Sequence, residues 1–333
     1  YWKDYQSYTS ASYIAEAENK IYCVTNGGLF YINKEDNTVN RMSKVTGLSD
    51  VGVKQVAYSK ELEITVITFE NCNIDLIKNN QIINISDIKR KEIAGIKLIN
   101  NITIEGKIAY LSTTFGLVLL DLEKEEIKDT YRIGSQGDNL IINGCAFLGD
   151  SIIVATISGM YFAKAENSNL ADYNNWSLYN DSYSTYDNVI SYNGYINIDH
   201  YTEIISLSYN KNTLIKTKFN KIEINKDDGT YSELIHSKLE NITYALIDNE
   251  SIIWVSDSLN GLLKFVNLEY QESFIPEGPV RNDVYSLKFA ENKLYQCHGG
   301  HANFGDNSLI YDGVSIKDEY DNWENWGYWN QTA

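Results

Sequence analysis

Apolar residues along this chain fall in short runs separated by turns rich in Gly, Asn, Asp and Ser, and no long stretch holds the 3.6-residue period of a helix. From Lys20 it reads KIYCVTNGGLFYIN, from Lys107 KIAYLSTTFGLVLLDL, from Ser151 SIIVATISGMYFAKA, and from Ser251, with one inserted residue, SIIWVSDSLNGLLKFVN. Each is an apolar strand, a hydroxyl residue, a tight turn ending in Gly and a second apolar strand. The turn residues are Thr25 and Gly28, Thr113 and Gly116, Thr156 and Gly159, Ser258 and Gly261. Two antiparallel strands joined this tightly need a residue that tolerates positive φ, which Gly does without steric cost. The hydroxyl can bond a turn amide. Strands apolar on most positions fit a sheet covered on both faces.

Weaker copies lie between these. TFENCNIDLI (68–77) places Asn73, which tolerates positive φ, where Gly would stand. YNKNTLIKTKF (209–219) has Thr213 near the equivalent place, and QCHGGHANFGDNSLIY (296–311) has Ser308. Markers at 28, 73, 116, 159, 213, 261 and 308 are spaced by 45, 43, 43, 54, 48 and 47 residues. Each unit also has an upstream strand such as ITIEGK (102–107) and a downstream one such as IKDTYRIG (127–134). About four short strands in each repeat of roughly 40 to 50 residues describe propeller blades. The expected fold is all-β: a seven-bladed β-propeller with four-stranded antiparallel blades. Residues 1–333 form one domain, with blades at roughly 11–50, 51–92, 93–138, 139–180, 181–235, 236–283 and 284–333. The aromatic segments Tyr1–Thr9 and Asn322–Trp329 are expected to close the ring, and a short helical turn is predicted over Ser86–Glu92.

Composition agrees with a folded β protein: 43% of residues are hydrophobic, Tyr occurs 26 times and Pro twice. A net charge of −17 without a basic stripe argues against a polyanionic nucleic-acid partner. Cys23, Cys72, Cys145 and Cys297 have neither CxxC nor zinc-ligand spacing and read as small buried hydrophobes. No apolar run approaches the roughly 20 residues that span a bilayer. No signal peptide is visible in the opening Tyr1-Trp2-Lys3-Asp4, and a mature or trimmed chain is expected.

Candidate chemistry is sparse. His298 and His301, with Asp306 nearby, are the weak candidates for a metal pair, but they sit in a Gly-rich turn and not on a helix. Asn225–Gly229 reads as a polar hairpin tip and lacks the ligands of a calcium loop. Glu70 and Asp75 are strand acids that nothing marks as a glycosidase pair. Trp323, Trp326 and Trp329 offer aromatic faces for a sugar or a neighbouring domain. No nucleophile elbow, phosphate loop or dinucleotide fingerprint is present. The expectation is a non-enzymatic binding module without cofactor or metal.

The strand–[ST]-x-x-G-[LM]–strand unit resembles the repeats of the two-component-regulator propeller superfamily. The longer segments YINKEDNTVNRMSKVTGLSD (31–50), ENCNIDLI (70–77), NISDI (84–88), AYLSTTFGLVLLDL (109–122), DTYRIG (129–134) and PEGPVRND (276–283) resemble the first propeller of the PorZ family. That family comprises cell-surface components of the type IX secretion system of Bacteroidetes. The resemblance implies export to the outer-membrane surface. It also implies work alongside other secretion proteins, including a sortase-like protease, and support of cargo processing and attachment to anionic lipopolysaccharide. The family carries a second propeller and a C-terminal sorting domain, so the chain is expected to be a fragment or a truncated relative. The alternative is a periplasmic carbohydrate-sensing propeller of a hybrid two-component regulator. No family site residue carries over.

Overall fold

The structure is a computed structural model and describes residues 3–327 apart from 135–136, 167–168, 181–186, 193–194, 200–202 and 301–312. Antiparallel strands build eight sheets: seven of four consecutive strands each and one hairpin. Sheets 1 to 4 span residues 11–42, 53–85, 99–131 and 142–180. Sheet 5 is the hairpin at 188–199, and sheets 6 to 8 span 204–234, 242–274 and 286–326. Eight sheets thus stand where seven repeats were expected.

Residues 181–235, expected to hold one unit, contain both sheet 5 and sheet 6. Among the described residues the hairpin has no outer strands, and its sequence has no Thr-x-x-Gly turn, so the repeat left no mark there beyond the 54-residue gap. Thr213 opens the second strand of sheet 6 and so lies at the opposite end from the marker turns; the equivalent turn is at 219–221. The helical turn at Asp87–Arg90 forms as expected, although the Ser86 side chain makes no capping bond.

The first strands of sheets 1 to 7 are Ala11–Ala17, Val53–Ser59, Ile99–Glu105, Ile142–Leu148, Asn188–Tyr192, Ile204–Asn210 and Ile242–Ile247. Each packs against the first strand of the next sheet, and Ile242–Ile247 packs back against Ala11–Ala17, closing a cycle among the described residues. The core follows the same path. Apolar clusters lie between sheets 1 and 2 (Val24, Phe69), 2 and 3 (Leu76, Leu111), 3 and 4 (Leu117, Val154), 4 and 5 (Ile153, Val189), 6 and 7 (Ile215, Val255), and 7 and 1 (Trp254, Ile14). The strand Gly116–Asp121 is buried at every position, as the absence of apolar–polar alternation predicts for a strand covered on both faces. Each Leu buried there contributes about 2 kcal/mol.

Sheet 8 stands outside this cycle. Its first strand, Ser286–Ala290, is exposed on both faces, with Leu287 61% and Phe289 71% accessible. The expected closure between residues 1–9 and 322–329 is therefore replaced by closure of sheet 7 on sheet 1. The two terminal segments do meet: Tyr5 packs edge-on against Trp323 at 5.7 Å. They dock sheet 8 to the entry of sheet 1 and close no ring.

Candidate functional site

The marker turns come first, because they fix where each inner strand begins. Thr113 Oγ1 donates to the Gly116 carbonyl at 2.6 Å and accepts from Phe115 N, and Thr156 bonds Gly159 O and Ser158 N in the same way. Gly116 has φ +127°, and a Cβ there would stand 2.5 Å from the Tyr131 carbonyl oxygen. Thr25 Oγ1 bonds both N and O of Gly28, but Gly28 serves a different need: its missing Cβ makes room for the Tyr8 aromatic side chain. Around Gly261 the carboxylate of Asp257, not the Ser258 hydroxyl, accepts the turn amides of Leu259 and Asn260. Ser258 Oγ instead accepts from Asn241. Asn73 has no positive φ; Cys72 takes that conformation, at +62°.

The first strands of sheets 1 to 7 surround a cavity of about 850 Å³ to which all seven contribute and sheet 8 does not. Polar side chains at its wall reach from one sheet to the next. Gln55 Nε2 donates to Asn100 O, Asn100 Nδ2 to Ile142 O, and Thr103 Oγ1 to Cys145 O. Ser208 Oγ donates to Ala245 O, Asn210 Nδ2 to Ile247 O, and Thr243 Oγ1 to Ala11 O across the closure. Every one of these steps joins like positions along the two strands, so the first strands of sheets 2 to 4, and of sheets 6, 7 and 1, run in one direction around the axis. The ladder answers the open edge that each first strand would otherwise present. Sequence reading missed these residues, because isolated polar positions in a strand look like ordinary solvent-facing alternation.

Glu16, at the wall of this cavity, is tied down. Glu16 accepts from Lys34 Nζ at 2.7 Å and from the Asn249 amide. Lys34 also lies 3.7 Å from Asp248, which is fully buried and accepts from Trp254 Nε1 at 3.0 Å. Burial alone would lower the Lys34 pKa, but its bonds and charge pairing with Glu16, Asp248 and Glu250 outweigh that and raise it. This cluster joins sheet 1 to sheet 7. A carboxylate so engaged is held for structure and is not free to shuttle protons.

The remaining sequence candidates are scattered. His298 is buried, with Nδ1 2.9 Å from Asp283 O and Nε2 2.9 Å from Ser315 Oγ, so both nitrogens hold the segment that enters sheet 8. His301, Asp306 and Ser308 lie outside the described residues. Asp75 is fully buried and accepts from Ser49 N and Asn84 Nδ2, whereas Glu70 lies exposed beside Gly52. In the 225–229 hairpin, Asp228 accepts from Thr230 N and Asp227 from Tyr209 OH. Trp323 rests on Tyr5, Trp326 is exposed, and Trp329 lies outside the described residues. All four cysteines are free, and burial pushes the Cys23 and Cys145 thiols upward, which makes them poor nucleophiles. Among the described residues no three His, Cys, Asp or Glu side chains converge to hold a metal. No described helix is long and apolar enough to cross a membrane.

Among the described residues named above, no acid, base and nucleophile converge around one reacting atom. The first strand of sheet 8 is exposed.

Comparison with known proteins agrees with the resemblance carried by the motifs. Residues 21–177 match the family model of the type IX secretion PorZ N-terminal β-propeller domain. PorZ of Porphyromonas gingivalis, an essential bacterial surface component of that organism's type-IX secretion system, superimposes with a TM-score of 0.81 at 21% identity, over 98% of this chain and 46% of that one. The chain thus spans about half the length of that protein. The extracellular domains of a one-component and a hybrid two-component system of B. thetaiotaomicron align with TM-scores of 0.45 and 0.42 at 10% and 12% identity. These cover 95% and 99% of this chain, and 54% and 48% of theirs. No curated protein matches the sequence.

Proposed function

We propose that this chain is a non-enzymatic scaffold of the type IX secretion machinery at the cell surface, and that residues 11–274 are its seven-bladed propeller, with sheet 5 a blade reduced to its inner hairpin. The observation that carries the reading is the match of residues 21–177 to the PorZ propeller family together with superposition of nearly the whole chain on PorZ. The geometry is compatible with it: Gln55, Asn100, Ser208 and Thr243 around the axis are committed to sheet-to-sheet bonds.

Sheet 8 is, on this reading, the first blade of a second propeller. Its first strand has the sequence of an inner strand but lacks the neighbours that cover the other inner strands. In this role the protein supports cargo processing by a sortase-like protease and attachment of cargo to anionic lipopolysaccharide. Deleting the gene tests it: secretion cargo should accumulate unprocessed and unattached. Normal cleavage and surface attachment in the deletion strain would overturn the reading.

A further inference from the structure

Because the first strands of the four-stranded sheets of the ring run the same way, the two faces of the ring are defined by which turns those sheets carry. One face holds the turns between second and third strands and the segments leading into each new sheet. The other holds the turns between first and second and between third and fourth strands.

These faces differ in chemistry. The first carries exposed Ile96, Ile157, Phe219, Ile235, Leu259 and Ile275, from segments belonging to sheets 3, 4, 6 and 7. Phe219, Ile235 and Leu259 are each more than 60% accessible, at 68%, 67% and 63%. The second face presents an acid in a turn of every four-stranded sheet of the ring: Glu18, Glu61, Glu123, Asp150, Asp228 and Glu250. Among the described residues its turns carry the exposed large hydrophobics Tyr173 and Leu268, with Val39 and Tyr231 opening the fourth strands beside them. The first face carries charges as well, among them Glu70, Lys89, Lys221, Lys238 and Glu240. Apolar residues recurring around a face among such polar groups mark an interface with an apolar core and a polar rim.

The apolar face is already occupied at one point. The segment 275–283, which leads to sheet 8, lies on it over sheets 7 and 1. Ile275 fills the space where Gly261 lacks a Cβ, and Asn282 fills that of Gly27. Asn282 Oδ1 accepts from Ser7 N at 2.7 Å, and Gly278 approaches the Gln6 carbonyl too closely for a side chain.

We infer that the unit begun by sheet 8 covers the apolar face of the ring, extending the contact already made over sheets 7 and 1 across Leu259, Phe219, Ile235, Ile157 and Ile96. The inference rests on the reading of sheet 8 as the start of a second propeller.

Hydroxyl-radical footprinting of the natural protein, as encoded in its genome, tests both separately. Phe219, Ile235 and Leu259 should be oxidised several-fold more slowly than their accessibility here dictates, while Tyr173 and Leu268 should react at the rate expected of exposed side chains. Substituting Phe219→Asp together with Leu259→Asp should leave far-UV circular dichroism unchanged. It should enlarge the radius of gyration in solution scattering and speed proteolysis within 275–285. Protection of Leu287 and Phe289 without protection of Phe219 and Leu259 would overturn the inference and leave the second propeller standing. Free reactivity at all four would overturn both. Protection of the apolar face that depends on protein concentration, or that requires another protein, would assign the face to a second copy or a separate partner and overturn the inference.

Discussion

The aromatic side chains of Tyr13 and Tyr244 meet with centroids 4.5 Å apart and planes tilted by 45°. One belongs to the first sheet and the other to the seventh, so the contact reports directly on ring closure. A double-mutant cycle of Tyr13→Ala and Tyr244→Ala, read by urea unfolding, should show a coupling of about 1 kcal/mol. Zero coupling would mean that the first and seventh sheets do not meet in solution.

Deletion of sheet 8 separates a ring member from an appended unit. A chain ending after Asp283 should keep the far-UV spectrum of the ring and unfold in one cooperative step within a few degrees of the parent. A true blade could not be removed without opening the ring and exposing the apolar flanks of its neighbours. Collapse of the truncated chain would return sheet 8 to the ring.

Glycine at position 116 meets two demands at once, φ of +127° and a carbonyl where Cβ would sit. Gly116→Ala should cost about 3 kcal/mol, near the upper end for a strained backbone position. Gly149, at φ +58° with open space around it, should cost only about 1 kcal/mol on the same substitution. Equal losses, measured by denaturant midpoints, would contradict the crowding at Tyr131.

Docking of the N-terminal segment on sheet 8 should be lost in acid. Hydrogen bonds from Lys3 and Lys317 pull the Asp321 carboxyl down to about 2. A carboxyl with a depressed folded-state pKa stabilises above its ordinary value near 4 and loses that contribution as pH falls through about 2. Near-UV circular dichroism of the Tyr5–Trp323 contact should therefore fade over that interval while the ring signal persists. Asp321→Asn should weaken the contact already at neutral pH without disturbing the left-handed backbone there, at φ +71°, which Asn tolerates. An unchanged near-UV spectrum in that variant would separate the ion pair from the docking.

Local chemistry made most of the sheets legible in advance. Thr113 and Gly116, or Thr156 and Gly159, answer a demand of the turn itself, so the demand shows in any sequence that makes the turn. The same logic located Gly28 for an incomplete reason, since what excludes a side chain there is Tyr8, twenty residues away in sequence. Sheet 5 was not legible because a two-stranded blade has no marker turn. Sheet 8 was read as a ring blade because its strands look like those of the others, and contacts such as Thr243 with Ala11 and Tyr244 with Tyr13 show where the ring ends. The pairing of Lys34 with Asp248, and of His298 with Ser315, was not legible in the sequence, since each joins groups brought together only by the folded ring or by sheet 8.

Every sheet of the ring is built from consecutive strands, and the circle is sealed by side chains with no strand exchanged between its ends. Such a chain can mature in the order in which it emerges from a ribosome or a membrane pore. Each blade is complete within some forty residues and needs only its predecessor to rest on, so its contacts are local and quick to form. The flank of the first blade is the exception. Ile14 and Tyr13 must wait, uncovered, until Trp254 and Tyr244 arrive. That interval is when the newly delivered molecule is most open to aggregation or to assistance by a chaperone.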